Sequence, residues 1–356
     1  MTECLPGSLG PTGGPRDGLE VLPVRGIGDV MPGDDLAALI VNAAPWLRDG
    51  DILVVTSKIV SKAEGRLVEV PADGPERDAA RAEVLASETA RVVARRGPTA
   101  IVQTHHGFVM AAAGIDASNI DKTHLVLLPA DPDASARTLR TSLAARGLAV
   151  GVIVSDTMGR AWRNGLTDVA LGAAGIAPVR DHRGEIDPYG NELQLTEMAV
   201  IDELAAAGEL VKGKCERVPV AVVRGYPGTG PADGPGAAAL IRDPDSDMFS
   251  LGTAEARAAG LRDAARLADS SGDGEPADPA AVARALDAVA DLLAAGTRVS
   301  GAAGTLRCAA PDDSPAALLR LGADVHRIRA ALAAEGLGSA TATEGAALVL
   351  TVTGPV

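Results

Sequence analysis

The sequence predicts a mixed α/β fold, in which buried strands alternate with amphipathic helices. Short apolar runs rich in Val and Ile, such as residues 51–57 and 152–156, have the length and composition of buried strands. Apolar residues recur with helical spacing between these runs, for example after Asp34, a residue type that favours the N-cap position. Together these patterns favour a sheet covered by helices.

Length and composition restrict the class of protein. A chain of 356 residues predicts two domains or three. The net charge of -14 argues against a general nucleic-acid or anionic-membrane surface, so no such partner is expected. The three cysteines, Cys4, Cys215 and Cys308, lie too far apart for a metal motif or a disulfide framework. Without an apolar run of transmembrane length or a signal pattern, the expected location is cytoplasmic.

Composition also indicates the domain organisation. Residues 1–18 are rich in Gly and Pro and are expected to be disordered, and residues 19–268 form the predicted main domain. Residues 269–279 have the composition of a linker. The tail, residues 280–356, reads as helix, strand, helix, strand, which predicts a small α/β module for packing or oligomerisation.

The elements of the main domain follow from the same patterns, taken in order. Strands are predicted at residues 19–24, 51–57, 99–103, 107–111, 125–128, 152–157 and 218–223. Helices are predicted at residues 75–96, 133–146, 169–176, 196–210 and 247–268.

One stretch, residues 152–168, carries the densest group of chemical side chains. A buried strand ends at Asp156 and Thr157, and a polar, Gly-punctuated loop with Arg160 and Arg163 is expected to follow it. The carboxylate and hydroxyl are hard oxygen ligands of the kind that Mg²⁺ or Mn²⁺ prefers, and arginine suits carboxylate or phosphate groups. An aspartate that caps the next helix, with two solvated arginines, is an equally open interpretation.

Two further polar segments follow apolar runs. Ser57 and Lys62 belong to a segment with two lysines, two serines and a glycine after a strand, which makes a second candidate anion site. Asp116 and Asn119 lie in a predicted loop, where they could bind a metal or serve only as turn residues. Solvated lysines and turn-forming polar residues are the alternatives.

Residues 208–215 nearly match a P-loop, and this interpretation is rejected. The last position is Cys215, so the hydroxyl that binds Mg²⁺ is missing. A helix is predicted before the segment and a strand after it, whereas a P-loop needs a strand, a loop and then a helix.

Five motifs taken together resemble the coenzyme F-420-0:L-glutamate ligase family, over about residues 19–265. They lie at residues 22–35, 50–62, 113–119, 155–165 and 187–192. Each motif is weak alone, and the combination is specific.

The resemblance implies a mixed α/β gamma-glutamyl ligase fold that works as a homodimer. It also implies a GTP-dependent, metal-requiring enzyme that joins L-glutamate, and then further γ-linked glutamates, to the lactyl carboxylate of the deazaflavin precursor F-420-0. The expected cofactors are Mg²⁺ or Mn²⁺, with K⁺ as a further candidate. In two-domain relatives a flavin domain follows the ligase domain, and the tail here is much shorter.

The resemblance also implies roles for individual residues. Asp116, Asp156 and Thr157 would hold the divalent cation. Arg160 and Arg163 are our own candidates for binding glutamate or the phosphodiester of the precursor. The residues that would contact GTP are Ile27, Gly28, Asp29, Val30, Ser57, Lys62, Asn119 and Lys214.

The implied chemistry converts a carboxylate into an acyl phosphate, which an amine can attack. The protein then mainly positions its substrates and neutralises charge. A metal-dependent nucleotide phosphohydrolase, which would use Asp116 and Asp156 equally well, is the alternative enzyme. A non-catalytic nucleotide-binding protein is the alternative outside enzymes.

Overall fold

The computed structural model describes residues 18–118, 120–230, 232–270 and 274–354. The predicted disorder of residues 1–17 therefore concerns residues outside the described part of the chain. The described residues form a mixed α/β fold, so the predicted class is confirmed. They group into a first compact unit that ends at Thr253 and a second that begins at Ala254. The domain limits inferred from composition stay predictions.

A five-stranded sheet organises the first unit. Its strands lie in the order β1 (Glu20–Val24), β12 (Val220–Arg224), β2 (Ile52–Thr56), β8 (Gly151–Arg160) and β9 (Arg163–Ala174). Only β2 and β8 run parallel, and the other neighbouring pairs are antiparallel.

Helices cover both faces of this sheet, which explains why β2 is apolar at successive positions. Leu53 and Val55 pack into a cluster with α1 (Leu36–Ala43) and α4 (Pro132–Ala144). Ile52 and Val54 pack into a second cluster with α5 (Val200–Lys212), on the opposite face.

The remaining elements of the first unit are smaller. The helix α2 (Ser57–Ala63) follows β2 directly, and β3 (Leu67–Glu69) pairs with β7 (His124–Val126). The other elements are α3 (Gly74–Ser87), β4 (Thr89–Arg96), β5 (Thr99–Thr104), β6 (Val109–Ala111), β10 (Arg180–Asp181) and β11 (Glu197–Met198). Of these, β4, β5 and β6 form one antiparallel sheet, and β10 pairs with β11.

The structure corrects three predicted elements. The helix expected at residues 75–96 ends at Ser87, because the β-branched run that follows pairs with β5 as β4. The expected loop after Thr157 is an antiparallel hairpin of β8 and β9. The same hairpin replaces the helix expected at residues 169–176, where small residues suit the close approach of β9 to α4.

The second unit contains a four-stranded antiparallel sheet and its helices. The sheet has the order β13 (Arg298–Ala302), β14 (Thr305–Ala309), β16 (Ala347–Thr353) and β15 (Gly338–Glu344). One core joins it to α7 (Pro279–Asp287) and α8 (Pro315–Ala334). The helix α6 (Thr253–Ala265) precedes them in the chain. None of the helices in the described ranges combines the length and apolarity that a bilayer span requires.

Candidate functional site

The parallel pairing of β2 with β8 brings two polar chain segments together. Thr56 pairs with Ser155, so Ser57 at the start of α2 lies beside Asp156. The hydroxyl of Ser57 hydrogen-bonds the carboxyl of Asp156, and the backbone N–H of Thr157 donates to the same carboxyl over 2.8 Å. Ser57 itself is buried.

Asp156 has an unusual protonation equilibrium. Burial raises the pKa of this carboxyl to about 6, and repulsion from Asp168 and Asp116 contributes. The hydrogen bonds from Thr157 and Ser57 oppose this shift without cancelling it. A cation near this carboxyl would stabilise its charged form, since a positive charge would offset the repulsion from the other two carboxylates.

Asp116 is held by the short backbone bridge that it makes with Val126 of β7. Its carboxylate accepts the backbone N–H of Ser118 over 2.6 Å and forms an ion pair with Lys58. Burial works against the charged form, but the hydrogen bonds from Lys58 and Ser118 outweigh it, and the pKa of Asp116 lies below its usual value.

The two carboxylates therefore lie within each other's electrostatic field. Ser57 and Lys58, consecutive residues of α2, contact one carboxylate each: Ser57 contacts Asp156, and Lys58 contacts Asp116. The arrangement joins two acidic residues that are 40 positions apart in the sequence.

A buried ionic network lies next to Asp156. Lys212, at the end of α5, donates to Asp168 over 2.8 Å and to the hydroxyl of Ser155 over 2.9 Å. The side chains of Lys212 and Asp168 are only 3% and 2% exposed. Asp168 also accepts the hydroxyls of Ser155 and Thr157 over 3.0 and 2.7 Å.

Asp168 remains a carboxylate in this network. Burial disfavours its charge, but the charge and hydrogen bond of Lys212 prevail, and the pKa of Asp168 lies below its usual value. A buried ion pair of this kind is costly unless every partner is satisfied, and here the two hydroxyls complete the set.

Lys214 reaches the same network from the surface. Its ammonium donates to the Thr157 hydroxyl over 2.7 Å and pairs with Glu209. The Thr157 hydroxyl therefore donates to Asp168 and accepts from Lys214, which leaves it one lone pair for a further partner.

The loop expected to contact GTP packs against α2. The backbone N–H of Gly33 donates to the carbonyl of Ala63 over 2.8 Å, which anchors the loop. The side chains of Ile27 and Val30 are buried in the core, whereas Gly28 and Asp29 are exposed. Of these four predicted contacts, Gly28 and Asp29 face solvent.

The remaining predicted residues differ in their placement. Lys62 is half-buried on α2. Arg160 and Arg163 are exposed at the tip of the β8–β9 hairpin, four residues or more beyond Asp156, or about 13 Å along a strand. The structure thus does not bring the two arginines to the aspartate pair. Asn119 lies outside the described residues.

Sequence reasoning gave no role to Asp168, and it included Lys58 in the candidate anion segment without predicting its ion pair with Asp116. The register of the hairpin places Asp168 opposite Thr157, and residues 166–170 show no alternation of polar and apolar side chains that could have indicated this pairing. Lys58 directly follows Ser57, but a lysine in a surface segment gives no sign of its partner.

The donor set fits a divalent cation that also binds phosphate oxygens. Within the described residues, no group of three or more His, Cys, Asp or Glu side chains could hold a metal by itself. Mg²⁺ sites need only one or two protein carboxylates when substrate phosphates complete the coordination. Asp116 and Asp156, with the free lone pair of Thr157, match that requirement.

Comparison with known proteins places the chain in a family. Residues 26–225 match the sequence model of the F420-0:Gamma-glutamyl ligase family. A coenzyme F420:L-glutamate ligase of Methanothermobacter thermautotrophicus is 41% identical over 250 residues, which cover 65% of this chain and 99% of that protein. The coenzyme F420:L-glutamate ligase of Methanopyrus kandleri is 41% identical over 247 residues, covering 65% of this chain and 97% of its own length.

The matched region contains both carboxylates, the hairpin and the buried lysine, so the comparison and the site concern the same unit of the chain. The chain belongs to the F420-0:gamma-glutamyl ligase family, which is a family of enzymes.

Proposed function

We propose that this protein joins L-glutamate to the lactyl carboxylate of F-420-0, and then adds further γ-linked glutamates, with GTP as the source of energy. The observation that carries the proposal is the juxtaposition of Asp116 and Asp156, one contacted by Lys58 and the other by Ser57. Membership of the family supports the substrate and the bond formed.

The reaction would proceed in two steps. An oxygen of the lactyl carboxylate attacks the γ-phosphorus of GTP, the bond to the β-phosphate breaks, and GDP leaves. The amine of glutamate then attacks the acyl carbon, the acyl–phosphate bond breaks, and phosphate and a proton are released.

Asp116 and Asp156, with Thr157, would hold Mg²⁺ or Mn²⁺. The cation would supply positive charge against the phosphate oxygens as the bond to the leaving group breaks. K⁺ remains a sequence-based expectation.

The residues of the chain position the substrates. The exposed backbone of Gly28 and Asp29, with Lys62 and Lys214, would contact the nucleotide, and lysine suits a phosphate as a point charge. The Ile27 and Val30 side chains would shape the loop from the core side, since both are buried. Asn119 remains a candidate from the resemblance.

The buried pair of Lys212 and Asp168 would fix the Thr157 hydroxyl. Asp168 accepts the hydrogen of that hydroxyl, so the oxygen lone pairs point away from Asp168. Lys212 donates to the other carboxylate oxygen of Asp168 and so holds that side chain in position. Both act through Thr157 and are positioning residues.

A homodimer is part of the proposal. Large apolar side chains are exposed on the segment between β10 and β11, namely Ile186, Tyr189 and Leu195. Exposed apolar groups on one segment favour contact with another protein surface. A cytoplasmic location remains the expectation from the sequence.

The test is incubation of the full chain with F-420-0, glutamate, GTP and Mn²⁺, followed by mass spectrometry of the products. We expect glutamylated F-420 species and one GDP per bond formed. Asp156→Asn should nearly abolish both while the protein remains folded. Fast GDP release without acceptors would favour the rival phosphohydrolase, and absence of GDP formation would favour a binding protein.

A further inference from the structure

Two of the few aromatic side chains are exposed together at the tip of the β8–β9 hairpin. The chain has two Trp, two Tyr and two Phe in 356 residues. Trp162 is 82% exposed and contacts Phe249, which is 51% exposed, edge to face with 4.7 Å between ring centroids. The guanidinium of Arg242 lies over the ring of Phe249, 5.7 Å from its centroid.

The turn does not require a tryptophan. Trp162 has a φ of 57°, in the left-handed region where glycine or asparagine is ordinarily preferred. A bulky side chain there costs on the order of 1 kcal/mol. The indole is exposed, so its burial does not stabilise the fold either. The fold therefore gives no reason for a tryptophan at this position.

The segment that carries Phe249 is anchored to the same unit as the aspartates. Arg91 of β4 donates to the carbonyl of Ser250 over 2.9 Å. The strand β4 belongs to the sheet whose last strand, β6, precedes the segment that carries Asp116. Phe249 is therefore tied to the structure from which Asp116 projects.

The distance from Asp156 to the hairpin turn is also comparable with the length of F-420-0. Trp162 lies in the turn that follows β8, and β8 ends at Arg160, about 13 Å along the strand from Asp156. In F-420-0 a flat ring is separated from the reacting carboxylate by a ribityl and phosphodiester arm of about a dozen bonds. At ~1.2 Å per bond this arm extends over roughly 15 Å. The exposed Arg160 and Arg163 flank the turn that carries Trp162, and their side chains offer positive charge to an anionic arm.

We propose that Trp162 and Phe249 form a stacking subsite for a flat, conjugated heteroaromatic ring, with Arg160 or Arg163 against the anionic arm. The inference rests on the proposed function and identifies the ring as the deazaflavin of F-420-0. The subsite would select the acceptor, whereas Asp116 and Asp156 would hold the divalent cation that the reaction requires. Stacking on aromatic side chains suits this ring because it presents two broad π-faces.

The first experiment measures binding in the full-length protein by calorimetry. Trp162→Ala should weaken F-420-0 binding by about tenfold, as expected for loss of one stacked ring, and Trp162→Phe should retain most of the affinity. GTP affinity should not change. The matched control is Leu319→Ala, which removes a side chain 79% exposed in the second unit and should leave both affinities unchanged.

The second experiment uses Trp162 as the reporter. Trp46 is the other tryptophan, so Trp46→Phe leaves the indole of Trp162 as the single tryptophan fluorophore. A ring-only fragment without the phospholactyl arm should quench this fluorescence at saturation. Thermal unfolding of the variant establishes that it is folded.

The outcomes separate the inference from the proposed function. Equal F-420-0 affinity in Trp162→Ala and the wild type, or no quenching, overturns the subsite while the ligase assignment stands. A wild type that neither binds F-420-0 nor forms product overturns both. Sedimentation tests whether Trp162 and Phe249 instead contact a second subunit. Loss of the dimer in Trp162→Ala with unchanged F-420-0 affinity would assign the two rings to a subunit contact and overturn the subsite.

Discussion

Lys212 and Asp168 form an ion pair 2.8 Å long in which both side chains are almost completely buried. Removal of charges from water costs several kcal/mol per ion, and a well-packed apolar pair of similar volume is often more stable. The pair lies beside Thr157, whose hydroxyl donates a hydrogen bond to Asp168. This placement links a costly structural feature to the candidate site.

Loss of one member of the pair should destabilise the protein more than loss of both. Lys212→Met leaves Asp168 buried without its cation, and we expect the free energy of unfolding to fall by about 3–5 kcal/mol. The double variant Lys212→Met/Asp168→Asn should recover a large part of that loss. Urea unfolding measures both. Lys214→Met, at a lysine that is mostly exposed, should change stability by less than about 1 kcal/mol.

Asp156→Asn should stabilise the metal-free protein at neutral pH. The folded pKa of about 6 lies above the unfolded value of about 3.9, so the fold favours the neutral carboxyl. The stability from this group is full below pH 4 and is lost as the pH rises through 6. We therefore expect the variant to exceed the wild type by on the order of 2 kcal/mol at pH 8 and to match it at pH 4. Equal stability at both pH values would contradict the pKa shift.

The same equilibrium predicts how the affinity for Mn²⁺ depends on pH. The cation requires the ionised form of Asp156, so below pH 6 its affinity should fall about tenfold per pH unit. Asp116 stays ionised in this range, since its pKa lies below the usual value. Calorimetry between pH 5 and pH 8 checks the slope. A flat profile would exclude Asp156 from the metal site.

The strand that carries Asp156 shows why part of the site could be predicted from the sequence. A run of β-branched residues that ends in Asp and Thr is a local pattern, and this pattern correctly predicts the strand β8. The partners of Asp156 depend on which strand is its neighbour. Ser57 reaches it only because β2 pairs with β8 in parallel, and no local pattern fixes that order.

The hairpin shows the opposite case. Residues 158–168 contain two glycines and three charged residues, which resembles a loop, yet they continue two strands. Backbone pairing between β8 and β9 offsets their weak local preference for strand. The role of Asp168 follows from this register and was not visible beforehand.

Lys62→Ala should mainly weaken nucleotide binding. The lysine lies half-buried in the last turn of α2, whose end anchors the loop with Gly28 and Asp29. Loss of one charge from a phosphate site should raise the Kd for GTP by about tenfold, which is 1.4 kcal/mol at 25 °C. Calorimetry with GTP tests this, and Arg320→Ala, at an exposed basic residue of the second unit, is the control. Unchanged GTP affinity in Lys62→Ala would refute the assignment.

Gly208→Ala should disturb the site from a distance. A Cβ at Gly208 of α5 would lie 2.9 Å from the Cβ of Val54 in β2, too close for the helix to keep its place. Because α5 ends at Lys212, a shift of the helix would move the ammonium away from Asp168. We expect a loss of about 1–3 kcal/mol in the free energy of unfolding and a fall in ligase activity. Gly260→Ala in α6, where a Cβ meets no atom within 4 Å, should be neutral or stabilising, because alanine favours the helix. If both variants unfold at the same urea concentration as the wild type, close packing of α5 on β2 does not hold Lys212 in position.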